Sequence, residues 1–94
     1  MSLNTTMKAL SDPTRREILN YLRDGSMTAG DIAAKFDMTA ATVSHHLSTL
    51  KNADLIRERR EKNFIIYTLN ASVLEEVLLW IETLKGDGKD DKGN

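Results

Sequence analysis

The chain has 94 residues, which is the size of one domain with at most a short tail. It contains no cysteine, so disulfides and thiolate metal sites are excluded. The net charge of −1 is unevenly divided: residues 1–74 hold 10 Lys and Arg against 8 Asp and Glu, and residues 75–94 hold 3 against 6. The mildly basic larger part can still be attracted to a polyanion. Because no signal core or membrane-length apolar run is present, we expect a cytoplasmic location.

Two short helices are predicted first. The apolar residues of the first recur at i, i+4 and i+7, as in an amphipathic helix: Leu3, Met7 and Leu10. The second helix can be capped by Asp12, and Pro13 suits its first position, where no backbone N–H is needed. Gly25 can end this helix in the left-handed conformation.

A helix-turn-helix is predicted next. Thr28 and Asp31 form a T-x-x-D capping box, which starts a third helix. Thr39 can cap a fourth helix, from Ala40 to about Asn52. The buried stripe expected for this fourth helix is Val43, Leu47 and Leu50. Because the break between the two helices is so brief, they match a helix-turn-helix.

Residues 55–69 change to a strand-like pattern around a charged turn at 61–63, which predicts a β-hairpin. Either Asn70 or Ser72 can cap a fifth helix. From residue 86 onward there is no apolar residue, so residues 86–94 are expected to be a disordered polar tail. The sequence therefore predicts a mainly α domain over residues 1–85 with a small β-hairpin. Its order is α-α-α-α-β-β-α, a winged helix-turn-helix.

The exposed face of the fourth helix is small and polar, and it has no acid before Asp54. Such a face can enter a DNA groove closely without repelling phosphate, although an ordinary solvated face would look similar. The predicted contacts are Thr39, Ala41, Thr42, Ser44, His45, Ser48 and Thr49. In the hairpin, a phosphate or minor-groove contact is favoured over a merely charged edge for Arg60, Lys62 and Asn63. The helix has no arginine to read guanine, and its methyl groups suit thymine, so an AT-rich site is expected.

The chain's two histidines are adjacent, which raises the question of a metal site. Neighbours on a helix do not face each other, so one ion cannot readily take both. His45 is predicted to point outward to a base edge or a phosphate. His46 is predicted to be semi-buried and hydrogen-bonded inside the domain. There is no thiol and no glycine-rich loop, and the adjacency of Ser44 and His45 on a helix is not the geometry of a catalytic triad, so we predict no catalytic residue, no cofactor and no metal.

The last helix carries more apolar surface than a small domain needs to cover one side. Such a surplus predicts a partner, although Trp80 could instead fill the protomer's own core. A homodimer is favoured, because two-fold operators require two-fold proteins. The predicted interface residues are Leu3, Met7, Val77, Trp80, Ile81 and Leu84.

Four stretches resemble the ArsR family of bacterial winged helix-turn-helix repressors: ALSDPTRREIL, MTAGDIAAKF, TVSHHLSTLKNADLI and RREKNFIIYTL. Within that family the chain is similar to the cysteine-free SdpR-like autorepressors. The resemblance implies a dimer through the first and last helices, a recognition helix in the major groove, and repression by operator occupancy. Metal-sensing relatives have C-V-C-D-L where this chain has T-A-G-D-I, and others bind zinc through a last-helix histidine that is missing here.

The resulting hypothesis is a homodimeric transcriptional repressor that binds double-stranded DNA at an inverted repeat. A winged-helix protein-interaction module and a histidine-based metal sensor are the alternatives. Release could come from a partner protein or a small-molecule inducer, and neither the operator nor the regulated gene can be read from the sequence. Arg15 and Arg16 could contact phosphate, or they could be solvated or ion-paired.

Overall fold

The computed structural model describes residues 2–86, so nearly all of the predicted polar tail lies outside the described residues. Within residues 2–86, helices α1 to α5 and strands β1 to β3 follow one another in the order α1, α2, β1, α3, α4, β2, β3, α5. The helices are α1 Leu3–Leu10, α2 Pro13–Leu22, α3 Ala29–Ala33, α4 Ala40–Asn52 and α5 Ala71–Leu84. The strands are β1 Met27–Thr28, β2 Ile56–Glu61 and β3 Phe64–Leu69.

The predicted helix-turn-helix and hairpin are confirmed, with one additional strand. Strand β1 has two residues, too few for a recognisable alternation, and it pairs antiparallel with β3 through Met27↔Tyr67 and Thr28↔Ile66. The hairpin of β2 and β3, which is the wing, is therefore the outer part of a three-stranded sheet of order β1-β3-β2. This sheet connects the wing to the loop just before α3, which holds the wing beside the helix-turn-helix.

The predicted helix starts follow local capping chemistry. The side chain of Asp12 accepts a hydrogen bond from Arg15 N at 3.0 Å. Thr28 and Thr39 likewise accept from the backbone N–H three residues further on, at 3.0 and 3.1 Å. Of the two candidates for α5 the cap is Asn70, whose Oδ1 accepts from Ser72 N at 3.3 Å. These bonds satisfy N–H groups that have no partner inside the helix.

The ends of α2 and α4 differ from each other. Helix α2 ends at Leu22, before Gly25, whose φ of 145° is positive but far from the left-handed helical value of about 57°. Helix α4 ends in a Schellman motif: Leu55 N donates to Leu50 O, and Asp54 N donates to Lys51 O. Leu50 and Leu55 are both fully buried, which adds the apolar contact typical of this motif.

The core lies between α2, α3, α4 and the sheet, and its largest fully buried side chains are Ile18, Ile32, Val43, Leu50, Leu55 and Ile56. The three buried residues of α4 are Val43, Leu47 and Leu50, as predicted. Because they recur on one side of the helix, they fix its rotation about its own axis. The opposite side of α4 is therefore held toward solvent.

Candidate DNA-binding surface

The outward side of α4 consists of small and polar side chains with no carboxylate. Six of the seven contact residues predicted in and just before α4 are exposed: Thr39, Ala41, Thr42, Ser44, His45 and Ser48. Thr49 is half-buried, and its hydroxyl donates to His45 O at 3.1 Å. A helix of this kind can lie deep in a major groove, because nothing on it repels phosphate or holds the two backbones apart.

Two threonines form the N-terminal cap of α4. Thr39 Oγ1 accepts from Thr42 N and lies 2.9 Å from Thr42 Oγ1. Since both hydroxyls are occupied by the cap, what these residues can most readily offer to a base is a methyl group. That chemistry suits the C5-methyl group of thymine.

Two grooves border the exposed side of α4. Toward the wing, Ser44 lines a crevice of about 300 Å³ together with Ile65 and Tyr67 of β3. Toward α1, His45 and Thr49 line a groove of about 310 Å³. Ala41 and Ser48 lie between these flanks on the helix surface. The exposed face of α4, on which the sequence predicted DNA contacts, is thus bounded by the wing on one side and by α1 on the other.

The two histidines have separate environments. His45 is exposed, and its ring centroid lies 6.0 Å from that of His46. His46 is largely buried, with its Nδ1 3.2 Å from Arg15 Nη1 and 3.9 Å from Asp12 Oδ2. The prediction of an internal, hydrogen-bonded His46 is therefore confirmed. A guanidinium beside Nδ1 also disfavours a metal cation at that nitrogen.

Asp12 joins the same cluster. The backbone N–H of Arg15 lowers the pKa of the Asp12 carboxyl, and burial opposes this in part. A weaker contribution to the lowered pKa comes from the charge of Arg15. Because Asp12 Oδ2 also lies 3.9 Å from His46 Nδ1, the start of α2 is close to α4.

Both arginines that the sequence left open have internal partners at the end of α1. Arg15 Nε donates to Ala9 O at 2.7 Å, and its Nη2 donates to Lys8 O at 3.2 Å. Arg16 Nη1 donates to Leu10 O at 2.8 Å. The last carbonyls of a helix lack intrahelical partners and carry partial negative charge, so guanidinium groups stabilise them. The observed contacts are internal hydrogen bonds rather than the ion pairs considered for these residues.

The strand register divides the wing cations between its two faces. Arg60 pairs with Ile65 and Glu58 with Tyr67, so these four side chains share the face that packs toward α3 and α4. In agreement, Lys51 Nζ of α4 donates to Glu58 Oε1 at 3.1 Å. Arg60 therefore lies on the side of the wing that faces α4.

The other wing cations lie elsewhere. Arg57 and Arg59 lie on the face of the wing that points away from α4. There, Arg59 Nη2 is 3.6 Å from Glu61 Oε1. Lys62 and Asn63 form the exposed two-residue turn, and Lys62 has a positive φ of 56°. All three predicted wing contacts, Arg60, Lys62 and Asn63, are exposed near the tip.

The proposed dimer residues are mostly exposed in the protomer. Leu3 and Met7 are each 38% exposed, because α1 turns Thr6 and Ala9 inward instead. Trp80, Ile81 and Leu84 are 40%, 39% and 68% exposed, so Trp80 does not fill the protomer's core. Val77 differs from the rest: it is buried within the protomer and has little surface left for a second copy.

Two further properties bear on function. In the part of the chain that the structure describes, no group of three or more His, Cys, Asp or Glu side chains could hold a metal ion. Over the same residues, no helix is both long and apolar enough to cross a membrane.

An acid-free recognition helix, a cationic wing tip and a helix-turn-helix core together define a winged helix-turn-helix DNA-binding protein. Residues 12–58 match the model of the arsR family of bacterial regulatory proteins. The chain belongs to this family, and the resemblance found in the sequence is confirmed.

Individual relatives agree with this assignment. The chain is 45% identical over 89 residues to the transcriptional repressor SdpR of Bacillus subtilis, covering 95% of this chain and 99% of that protein. It is 36% identical over 76 residues to an arsenical resistance operon repressor of Staphylococcus aureus, covering 81% and 73%.

Solved structures show the same fold. A crystal structure of an ArsR family transcriptional regulator superposes with a TM-score of 0.87 at 26% identity, covering 94% of this chain and 97% of that one. An ArsR-like regulator from Rhodococcus sp. RHA1 gives 0.81 at 25% identity, covering 90% and 80%. These relatives are transcriptional regulators rather than enzymes, which agrees with the non-enzymatic function predicted.

Proposed function

We propose that the chain is a cytoplasmic transcriptional repressor that blocks its promoter by occupying an operator as a homodimer. The observation that carries this proposal is the exposed, acid-free face of α4, held in a fixed rotation by Val43, Leu47 and Leu50. Arg60, Lys62 and Asn63 of the wing supply flanking contacts to phosphate or to the minor groove. Relatives that are named as repressors support repression rather than activation. Another relative is named as a transcriptional activator, HlyU of Vibrio cholerae, so repression by this chain is part of the proposal.

The proposed dimer rests on apolar surface that the protomer leaves uncovered. On α5, Trp80, Ile81 and Leu84 continue the side that carries the buried Val73 and Val77. The partly exposed Leu3 and Met7 of α1 supply additional apolar area. Contiguous apolar surface of this kind on a small protein typically marks an interface. A two-fold dimer presents two α4 helices, which favours an inverted repeat.

Operator binding is proposed to need no metal. His46 Nδ1 is already bonded to Arg15, and His45 stands on the DNA-facing side. The family's thiolate signature is replaced by Thr28–Ile32, a stretch that serves as the cap and first turn of α3. These observations disfavour the histidine-based metal sensor.

The proposal is tested by selecting bound sequences from random duplex DNA with the purified protein. The expected product is an AT-rich inverted repeat whose half-site centres are one helical turn apart, about 34–36 Å, or a multiple of this. Recovery of GC-rich or directly repeated sites would contradict the proposed readout.

The selected duplex should then be titrated at several salt concentrations. Steeply salt-dependent affinity is expected, because binding that neutralises phosphates releases counterions. If no sequence is enriched and duplex binding is weak and insensitive to salt, the chain is better described as a protein-interaction module.

A further inference from the structure

The groove between α1 and α4 is lined by hydrogen-bond donors and cationic side chains, a composition that packing of the helix-turn-helix does not require. Its volume is about 310 Å³, and three elements contribute side chains to it. The polar side chains lining it are Thr5, Lys8, Arg15, His45, Thr49 and Asn52. All six can donate a hydrogen bond, and none of the groove's lining residues is acidic.

The positive charge at this groove is only partly compensated. The Arg15 guanidinium is held in place by two α1 carbonyl oxygens and by His46. The Lys8 carbonyl oxygen accepts from Arg15 and Ser11, but within residues 2–86 the Lys8 amino group has no hydrogen-bond or ion-pair partner. The carboxylate of Asp12 does not line the groove, and it is already bonded to the Arg15 backbone N–H.

Helix α4 supplies the other wall. His45, Thr49 and Asn52 are spaced i, i+4 and i+7, so they lie on one side of the helix. This side adjoins Ala41 and Ser48, the part of α4 that faces away from the core. A molecule in the groove would therefore touch α1 and the recognition helix together.

We propose that Lys8, His45 and Asn52 bind a backbone phosphate of the operator, which makes α1 part of the DNA-binding surface. This inference rests on the proposed function, since it requires α4 in a major groove. A helix in that groove runs between two phosphate backbones, and the wing accounts for contacts on only one flank. The α1–α4 groove supplies donors and cationic charge on the opposite flank. Its contact fixes the position of α4 and carries no base specificity.

The decisive measurement is the slope of log affinity against log salt for the selected operator. Lys8→Gln should reduce the magnitude of this slope by about 0.9 for each protomer bound, because one phosphate contact is lost. The melting temperature should not change, since the Lys8 side chain has no internal partner. Lys8→Arg keeps the charge and should keep the slope. Arg23→Gln is the matched control, because it removes one charge at the opposite end of α2 from Arg15.

An unchanged slope for Lys8→Gln, with normal operator binding by the parent protein, would overturn the phosphate site and leave the proposed function intact. An equal loss in Arg23→Gln would also overturn it, because the effect would then be one of overall charge. If the parent protein binds no operator, the proposed function itself fails.

A separate titration distinguishes a DNA phosphate from a free anion. Inorganic phosphate is added without DNA while the ring resonances of His45 are followed by NMR. The expected result is no saturation in the millimolar range, because one phosphate contact is weak without the rest of the DNA interface. Saturable binding together with an unchanged Lys8→Gln slope would assign the groove to a free anion instead.

Discussion

Arg15 Nη1 lies 3.2 Å from His46 Nδ1 and connects the start of α2 to the middle of the recognition helix α4. His45, the next residue along the same helix, has its side chain exposed to solvent. Two adjacent and chemically identical side chains thus have different roles. One belongs to the internal contacts that position α4, and the other belongs to the surface proposed to meet DNA.

Alanine substitutions should separate the two histidines. His45→Ala should change the free energy of unfolding by no more than about 0.5 kcal/mol, since exposed sites tolerate substitution. It should weaken operator binding by about 1.5–3 kcal/mol, because the ring is proposed to donate a hydrogen bond to a charged backbone phosphate. His46→Ala should cost about 1–3 kcal/mol of stability through the lost bond to Arg15 and lost packing. Paired melting curves and operator titrations at one salt concentration measure both effects. A thermally silent His46→Ala together with normal operator binding by His45→Ala would show that the assigned face is wrong.

The dimer can be tested with two leucines on different sides of α5. Leu84 is 68% exposed and follows the buried Val77 at i+7, so it lies on the inner side of the helix. Leu79 is 67% exposed but lies on the other side. Leu84→Ala should raise the dimer dissociation constant at least about tenfold, or 1.4 kcal/mol, whereas Leu79→Ala should leave it near the parent value. Sedimentation equilibrium checks this, and equal effects of the two variants would exclude the proposed interface.

Acid should destabilise the fold in part through Asp12. The folded state lowers the pKa of this carboxyl below the ordinary value of 3.8, mainly through the Arg15 N–H. Folding therefore favours the ionised form, so its contribution is present above pH 3.8 and is lost as the pH falls through the lower folded pKa. Asp12→Asn keeps a capping oxygen but cannot ionise. Melting temperatures between pH 2 and 6 should fall less steeply with acid in this variant than in the parent protein, and identical pH profiles would argue against the assignment.

A glycine should improve the end of α4. Asp54 has a φ of 60°, which costs a residue with a side chain roughly 1 kcal/mol relative to glycine. Asp54→Gly should therefore raise the free energy of unfolding by about 0.5–1 kcal/mol. Glu17→Gly, in the exposed interior of α2, should have the opposite sign and a similar size. Chemical denaturation measures both variants, and a destabilised Asp54→Gly would mean that the Asp54 side chain has a stabilising role of its own.

Operator binding is predicted not to depend on a metal ion, and affinity measurements test this directly. Operator affinity should be the same with a strong chelator and with sub-stoichiometric zinc, because neither histidine of α4 belongs to a group of three or more possible metal ligands among residues 2–86. A tenfold shift in either condition, about 1.4 kcal/mol, would support the metal-sensor alternative instead.

Local chemistry explains why much of the architecture could be predicted. The caps Asp12, Thr28 and Thr39 each bond a backbone N–H three residues away, so their partners lie within the same short stretch of sequence. The rotation of α4 follows from the spacing of its three buried residues. The separation of His45 from His46 follows in turn, because adjacent helical residues differ by about 100° in direction.

Three features could not be predicted from local sequence, because they depend on tertiary contacts between residues far apart in the chain. Strand β1 exists only because Met27 and Thr28 meet Tyr67 and Ile66. The preference of Arg60 for the α4 side of the wing depends on the strand register, and one residue of slip would reverse it. Lys8 lies beside α4 although it is 37 positions before His45 in the chain. No periodicity within α1 or α4 encodes that approach, since it is fixed by how both helices pack on α2.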